Sequence, residues 1–230
     1  SYDWPVMAAE LESIDGLAGV WINENSSDGN AVLGKRTVHL AGSRRLDDVV
    51  AGMAFERNPM SFFQTNHRAT EKLIKIVRQM INEPIQTLFD LYAGGGLFAL
   101  ALAGQAQEIY LVESHPDAAA AGKATLRGAG VKQSNMVIGR VEEVLPKLAA
   151  DGIAADAIVI DPPRAGIAPE AVAPIVAAQA DKIVYVSCNL RSLVRDLKAL
   201  TALGMKLDQV HTVDMFPHTP HVEVISLLTR

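Results

Sequence analysis

Cysteine is nearly absent: Cys188 is the only one in 230 residues. One thiol cannot close an internal disulfide, and it cannot supply the four thiolates that an iron–sulfur cluster usually takes. Long apolar runs are also missing. No stretch approaches the roughly 20 continuous apolar residues of a membrane span. The first residues, "SYDWPVMAAELE", lack the basic-then-apolar order of a signal peptide, so a cytoplasmic location is expected. A basic excess is the third absence. The formal net charge is −5, so nothing overall advertises nucleic-acid binding, and the local clusters 34–36, 42–45 and Arg191 with Arg195 read first as solvated surface.

What is present is enough apolar material for a full core. Hydrophobic residues make up 49% and charged residues 20%, which suits one soluble domain, or one domain plus an appendage. Residues 1–63 alternate and turn, with strand-like stretches broken by Asn, Gly, Ser and Asp, and are expected to form a small β-rich antiparallel segment. The pattern changes near Asn66. There Leu73, Ile74, Ile76, Val77, Met80 and Ile81 fall at helical spacing behind an Asn or Thr cap.

From there to the end, residues 64–230 alternate apolar runs with helical segments. The runs "TLFDLY", "EIYLVE", "NMVIG", "DAIVID" and "KIVYVS" read as five buried strands separated by helices. The expected fold class is α/β, a doubly wound parallel sheet with right-handed crossovers. The last runs, "MKLDQVHTVDMF" and "HVEVISLLTR", have no helix between them and should add an antiparallel pair at one edge.

Ligands of such sheets bind beyond the carboxyl ends of the strands. The first strand is followed by "DLYAGGGLFAL", where Gly94 and Gly96 allow a tight turn and close backbone approach. The loop lacks the third glycine of the dinucleotide fingerprint. Glu113 ends the second strand 19 residues after Gly94, the spacing at which an acid reaches ribose hydroxyls, although a strand-end acid near a helix dipole fits equally. The fourth strand ends "IVIDPPRAG", where two prolines stiffen a loop that carries Asp161 and Arg164; a turn with a surface ion pair is the bland reading.

The fifth strand ends "YVSCN", which puts Cys188 at the same edge and at the mouth of a helix. An isolated cysteine usually packs as a small hydrophobe. Here the helix N-terminus and Arg191 are expected to favour the thiolate and make a nucleophile. Candidate bases follow in "MFPHTPHVEV": His218, His221 and Glu223. A glutamate inside an apolar strand is the hardest to dismiss, because burying it unpaired is expensive.

Taken together, "SFFQTN", "DLYAGGGLFAL", "DPPRAG", "VSCNLRSLVRDL" and "DMFPHTPHVEVISLL", in this order over about residues 55–230, resemble the S-adenosylmethionine-dependent RNA uracil-5 methyltransferases. That resemblance implies a Rossmann-like methyltransferase domain, S-adenosylmethionine as cofactor and a uridine in rRNA or tRNA as substrate. It implies Cys188 as the nucleophile that adds to uracil C6, and Glu223 as the base that removes the C5 proton. Tyr92, Gly94, Gly96 and Glu113 would bind cofactor. Gln64 and Asp161 would lie between cofactor and uracil, Phe62 or Phe63 would pack or stack on the base, and Arg164 would help position RNA. No metal, no membrane and a monomer are expected.

The chain departs from the family pattern at Ala93, where a cysteine is common, at Leu190, where proline follows "SCN", and at Arg140, where an acid or amide near the adenine is expected. The family's N-terminal RNA-binding barrel and its cysteine-ligated cluster are missing from this sequence, as in a short member or a fragment. Two other readings stay open: a methyltransferase acting on an amino group or small molecule, since "DPPR" resembles the "DPP" loops of amino-methylating enzymes, and a non-catalytic RNA-binding or assembly factor.

Overall fold

The computed structural model describes residues 3–26, 34, 36–57, 64, 66–219 and 221–230. It opens with a helix that the sequence reading did not anticipate, α1 (Trp4–Glu12). Asp3 caps it, Oδ1 accepting from the Val6 N–H at 3.4 Å, and Pro5 supplies a fixed φ in the first turn, where a missing N–H costs nothing. The expected antiparallel strands follow. β1 (Gly19–Glu24) pairs with β2 (Arg36–Gly42), and β3 (Leu46–Val50) pairs with β4 (Met53–Arg57). The β3–β4 turn is made by Ala51 and Gly52, both at positive φ, which matches the twist of a two-residue hairpin. Val50 and Phe55 of this hairpin pack on Ile74, Leu100 and Ala101.

α2 (His67–Met80) starts where expected. Asn66 is its N-cap, with Oδ1 accepting from the Ala69 N–H at 3.1 Å, and Leu73, Ile74, Val77 and Met80 form its buried stripe. Next come β5 (Ile85–Leu91), α3 (Leu97–Leu102), β6 (Ala106–Glu113), α4 (Pro116–Gly128), β7 (Ser134–Ile138) and α5 (Val141–Ala150). β8 (Ala157–Ile160), α6 (Pro169–Ala177), β9 (Lys182–Ser187), α7 (Leu190–Ala202), β10 (Lys206–Val213) and β11 (Glu223–Thr229) complete the chain.

One seven-stranded sheet runs β10-β11-β9-β8-β5-β6-β7. Five strands, β9, β8, β5, β6 and β7, are parallel, and beyond β9 the sheet adds β11 antiparallel to β9 and β10 antiparallel to β11, as the sequence implied. β9, β8, β5 and β6 are buried on both faces, because α2, α3 and α4 contribute the core on one side and α5, α6 and α7 the core on the other. Leu88, Ile109, Val159 and Val184 are fully covered, each burial contributing roughly 2 kcal/mol. No helix among the described residues is long and apolar enough to cross a membrane.

From β5 the chain turns to β6 on one side, then returns to β8 on the other. That reversal opens a crevice at the carboxyl ends of β5 and β8.

Candidate functional site

Three segments meet at this crevice. The glycine loop follows β5. Gly94 has φ +52, Gly96 has φ +80, and a Cβ on Gly94 would meet nothing within 4 Å, so the loop presents bare backbone to open space. Glu113 holds it in place: one carboxylate oxygen accepts from the Gly94 N–H at 2.9 Å, and the other from the His115 N–H at 2.7 Å. The acid thus ties the glycine loop to the entry of α4. Tyr92 sits in the same loop at φ 61, and burial pushes its hydroxyl up to about 12.

The second segment is the loop after β8, with Asp161 and Arg164. Asp161 is partly buried, and burial together with the charge of Glu223 pushes its carboxyl up to about 7. Arg164 is exposed, and its charge favours the ionised forms of both Cys188 and Glu223.

The third segment is the β9–α7 junction with its antiparallel neighbour. β9 and β11 pair with Val224 opposite Ser187 as the last pair of their ladder, which brings Glu223, at the start of β11, near Cys188, just past the end of β9. Glu223 is 4% exposed, and burial raises its carboxyl while Arg164 opposes the rise. Cys188 is half-buried.

The thiol differs from expectation. Burial raises it first, the Glu223 and Asp161 carboxylates raise it further, and Arg164 only partly offsets them. The reason is local. Asn189 is the N-cap of α7, with Oδ1 accepting from the Arg191 N–H at 3.0 Å, so Cys188 lies one residue before the helix proper. The counter-charge comes from Arg164 rather than from Arg191.

Gln64 is 6% exposed and lies two residues before Asn66, whose Nδ2 donates to the Met215 carbonyl at 3.1 Å on the way from β10 to β11. The start of α2 is thereby fastened to the segment that leads into Glu223. Phe62 and Phe63 lie outside the described residues. His218 and His221 are exposed on the same connection, and neither is among the groups whose charge reaches Cys188. Arg140 caps α5 by position and pairs through Nη2 with Glu142 at 2.5 Å.

Two acids escaped the sequence reading. Asp90 is 0% exposed; its Oδ2 accepts from the Ala99 N–H at 2.8 Å, and its Oδ1 has no partner among the described residues. Burial raises its carboxyl well above the usual range, and Asp161 and Glu113 add to the rise. Asp196, 2% exposed, accepts from the Ile167 N–H and from the Tyr185 hydroxyl. Both were detectable by the signal that picked Glu223: an acid in the apolar run "TLFDLY", and an acid on the Leu193–Leu200 stripe of α7.

A cleft of about 320 Å³ adjoins these segments, lined by Tyr92, Ser114, Arg140, Glu142, Ile167 and Arg195 among others. No three His, Cys, Asp or Glu side chains are placed to hold a metal ion among the described residues.

The tRNA (uracil-5-)-methyltransferase family model matches residues 43–230. An RNA methyltransferase of uncharacterized specificity from Lactobacillus johnsonii is 35% identical over 96% of this chain and 49% of its own length. A second from Clostridium acetobutylicum is 37% identical over 94% of this chain and 47% of its own. The chain spans about half the length of these curated relatives. Among solved structures, the Pyrococcus abyssi tRNA (uracil-54, C5)-methyltransferase in complex with S-adenosyl-L-homocysteine aligns with a TM-score of 0.73 and 27% identity, over 89% of this chain and 49% of that one.

Proposed function

Because this chain belongs to the tRNA (uracil-5-)-methyltransferase family, we propose that it methylates C5 of a uridine in tRNA or rRNA through a covalent bond between Cys188 and uracil C6. The observation that carries this reading is the meeting of Glu223, at the start of β11, with Cys188, just past the end of β9, near enough for the Glu223 charge to reach both the thiol and Asp161.

S-adenosylmethionine, when bound, supplies an electrophilic methyl group. The crevice suits such a cofactor: Gly94 leaves the backbone bare, Gly96 lets the loop pack closely on Gly122 and Leu126 of α4, Glu113 stands at the ribose distance in sequence, and Asp90 keeps an unsatisfied oxygen beside the loop. Tyr92, Gly94, Gly96 and Glu113 would hold it, with Gln64 and Asp161 between it and the base.

The base chemistry falls to four residues. Cys188 gives up its proton to solvent and its sulfur adds to C6, so the C5–C6 π electrons move toward C5 and the C4 carbonyl oxygen. Asp161, which carries a proton over part of the neutral range, can donate a hydrogen bond to that oxygen as its charge grows. C5 then takes the methyl group. Glu223 removes the C5 proton, the electrons of that C–H bond re-form C5=C6, and the Cys188 thiolate is expelled. Arg164 favours the ionised form of Glu223 and opposes the larger pull of burial, which helps a base.

An acidic chain does not attract RNA by net charge, so the uridine is best supplied unstacked, in a loop or single strand. The test is incubation with RNA containing 5-fluorouridine and S-adenosylmethionine, followed by denaturing mass spectrometry. Fluorine cannot leave as a proton, so an adduct on Cys188 is expected. No adduct from a chain that binds the cofactor would discard covalent catalysis and favour amino-methylation.

A further inference from the structure

The loop after β8 is fastened to α7 by a set of bonds that converge on one buried acid. Asp196 Oδ2 accepts from the Ile167 N–H at 2.8 Å and from the Tyr185 hydroxyl at 2.7 Å. Asp196 Oδ1 accepts from Arg195 Nε at 2.8 Å, and Arg195 Nη2 in turn donates to the Ala165 carbonyl at 2.8 Å and the Ile167 carbonyl at 3.2 Å. One turn earlier in α7, Asn189 Nδ2 and Ser192 Oγ both donate to the Arg164 carbonyl, at 2.9 and 3.1 Å. Gly166 completes the join. Its φ is +82, and a Cβ there would fall on Asp196 Oδ2 and within 2.6 Å of Arg195 Nη2.

A buried carboxylate is retained at a cost unless its bonds do something an apolar side chain cannot. Here every bond goes to the loop that carries Asp161 and Arg164, to Arg195, or to Tyr185 on the strand that ends before Cys188. Asp196 and Arg195 thereby fix the backbone of residues 165–167, while Asn189 and Ser192 at the start of α7 hold the adjoining Arg164 carbonyl. The groups whose charge reaches Cys188 come from two elements: Glu223 on β11, and Asp161 and Arg164 on this loop. Arg164 is the only cation among them.

We propose that Asp196 is a positioning residue: by fixing residues 165–167 beside the Arg164 carbonyl that Asn189 and Ser192 hold, it sets the backbone from which the Arg164 side chain acts on Cys188 and Glu223. The inference rests on the reading of Cys188 as the nucleophile, but its test does not need RNA. Cys188 is the sole thiol, so its alkylation by iodoacetamide can be followed by intact mass from about pH 6 to about pH 10. Direct electrostatics and positioning predict opposite signs. Replacing Asp196 by Asn removes a negative charge, which by itself lowers the pH at which the thiol reacts. Release of Arg164 removes the cation that favours the thiolate, which raises it.

The expected result is that Asp196→Asn raises the alkylation midpoint by about half a unit to one unit. That corresponds to about three- to tenfold slower reaction at neutral pH. Arg164→Gln should give a similar rise, and the double variant no more than the larger of the two. A midpoint in Asp196→Asn that is unchanged or lowered, or a double variant whose shifts add, overturns the proposal. Should Asp196→Asn not fold, Ser192→Ala removes one bond to the Arg164 carbonyl and must raise the midpoint by a smaller amount; no rise there overturns it equally. If the thiol behaves as expected but wild-type protein forms no adduct with 5-fluorouridine RNA, the covalent reading fails while the positioning role stands.

Discussion

Glu223, the first residue of β11, and Cys188, the residue after the end of β9, lie just beyond the Ser187–Val224 pair, close enough for the carboxylate charge to reach the thiol. A general base at one strand end and a nucleophile just past the end of its neighbour need no loop closure to find each other. Burial is the main reason for the thiol's reluctance to ionise, and the Glu223 carboxylate adds to it. In the proposed cycle the two groups act at different times at the two ends of one bond, C6 and C5. Glu223→Gln should therefore permit addition and methylation but stall elimination, with turnover reduced by about 10²–10⁴-fold. The check is a denaturing gel, on which a protein–RNA band should accumulate with natural uridine. Fast turnover without that band would take Glu223 out of the base role.

Cys188→Ala should remove methyl transfer by at least about 10³-fold. Cofactor affinity should change by less than about twofold, because the glycine loop and Glu113 that would hold the cofactor make no bond to the thiol. Transfer of radiolabelled methyl to RNA gives the first number, and isothermal titration with S-adenosylhomocysteine the second. A variant that still methylates would support the amino-methylating alternative.

The Asp161 carboxyl predicts how stability depends on pH. Its folded-state value near 7 lies above the unfolded value of 3.8, so the folded protein holds the extra proton between those limits. Stability from this group is full below about pH 4 and is lost as pH rises toward 7. At about 1.4 kcal/mol per unit the loss is at most about 4 kcal/mol, and less because water reaches the carboxyl. Asp161→Asn should flatten the fall in melting temperature over that window and be more stable than wild type at pH 7. Asp90, buried and raised in the same direction, keeps part of the slope in the variant. Parallel pH profiles for wild type and variant would mean that Asp161 ionises normally.

The parallel sheet and its antiparallel edge were legible because each strand is a short apolar run bounded by turn residues, and burial on both faces leaves little ambiguity. The grouping of Asp161, Cys188 and Glu223 was legible for a related reason: strand ends of a doubly wound sheet must share one edge. Helix α1 was not. Its nine residues are mostly exposed, with only Ala8 buried, so no apolar stripe advertises it. The thiol's environment was misread because a helix N-terminus is visible in sequence, whereas carboxylates arriving from 27 and 35 residues away are not. Asp196 was visible as an acid on the apolar stripe of α7, but what it binds was not, since its partner Ile167 lies 29 residues earlier.

Gly166 offers a local test of the loop. Gly166→Ala combines a left-handed φ with a Cβ placed on Asp196 Oδ2, whereas Gly52→Ala, at φ +75, meets nothing within 4 Å. The control should cost about 1 kcal/mol from backbone strain alone. Gly166→Ala should cost about 2–4 kcal/mol, or roughly 4–16 °C in Tm for a chain of this size. Differential scanning calorimetry compares the two. Equal losses would show that the loop gives way around the added methyl, and that the Asp196 contact is not tightly held.

Glu113 is the last case, because it separates binding from holding. Its two carboxylate oxygens accept from the Gly94 and His115 N–H groups, so the same side chain that would meet a ribose already spans two backbone donors. Glu113→Gln keeps the shape but leaves one acceptor oxygen and one NH₂ facing an N–H. That loses at least one charge-assisted bond and sets donor against donor, a cost of about 1–3 kcal/mol. Part of it should appear as a looser glycine loop and part as cofactor affinity weaker by about tenfold or more. Hydrogen exchange at Gly94 and titration with S-adenosylhomocysteine read the two effects separately. Faster exchange with unchanged affinity would mean that Glu113 only braces the loop, while weaker affinity with unchanged exchange would assign it to the ligand alone.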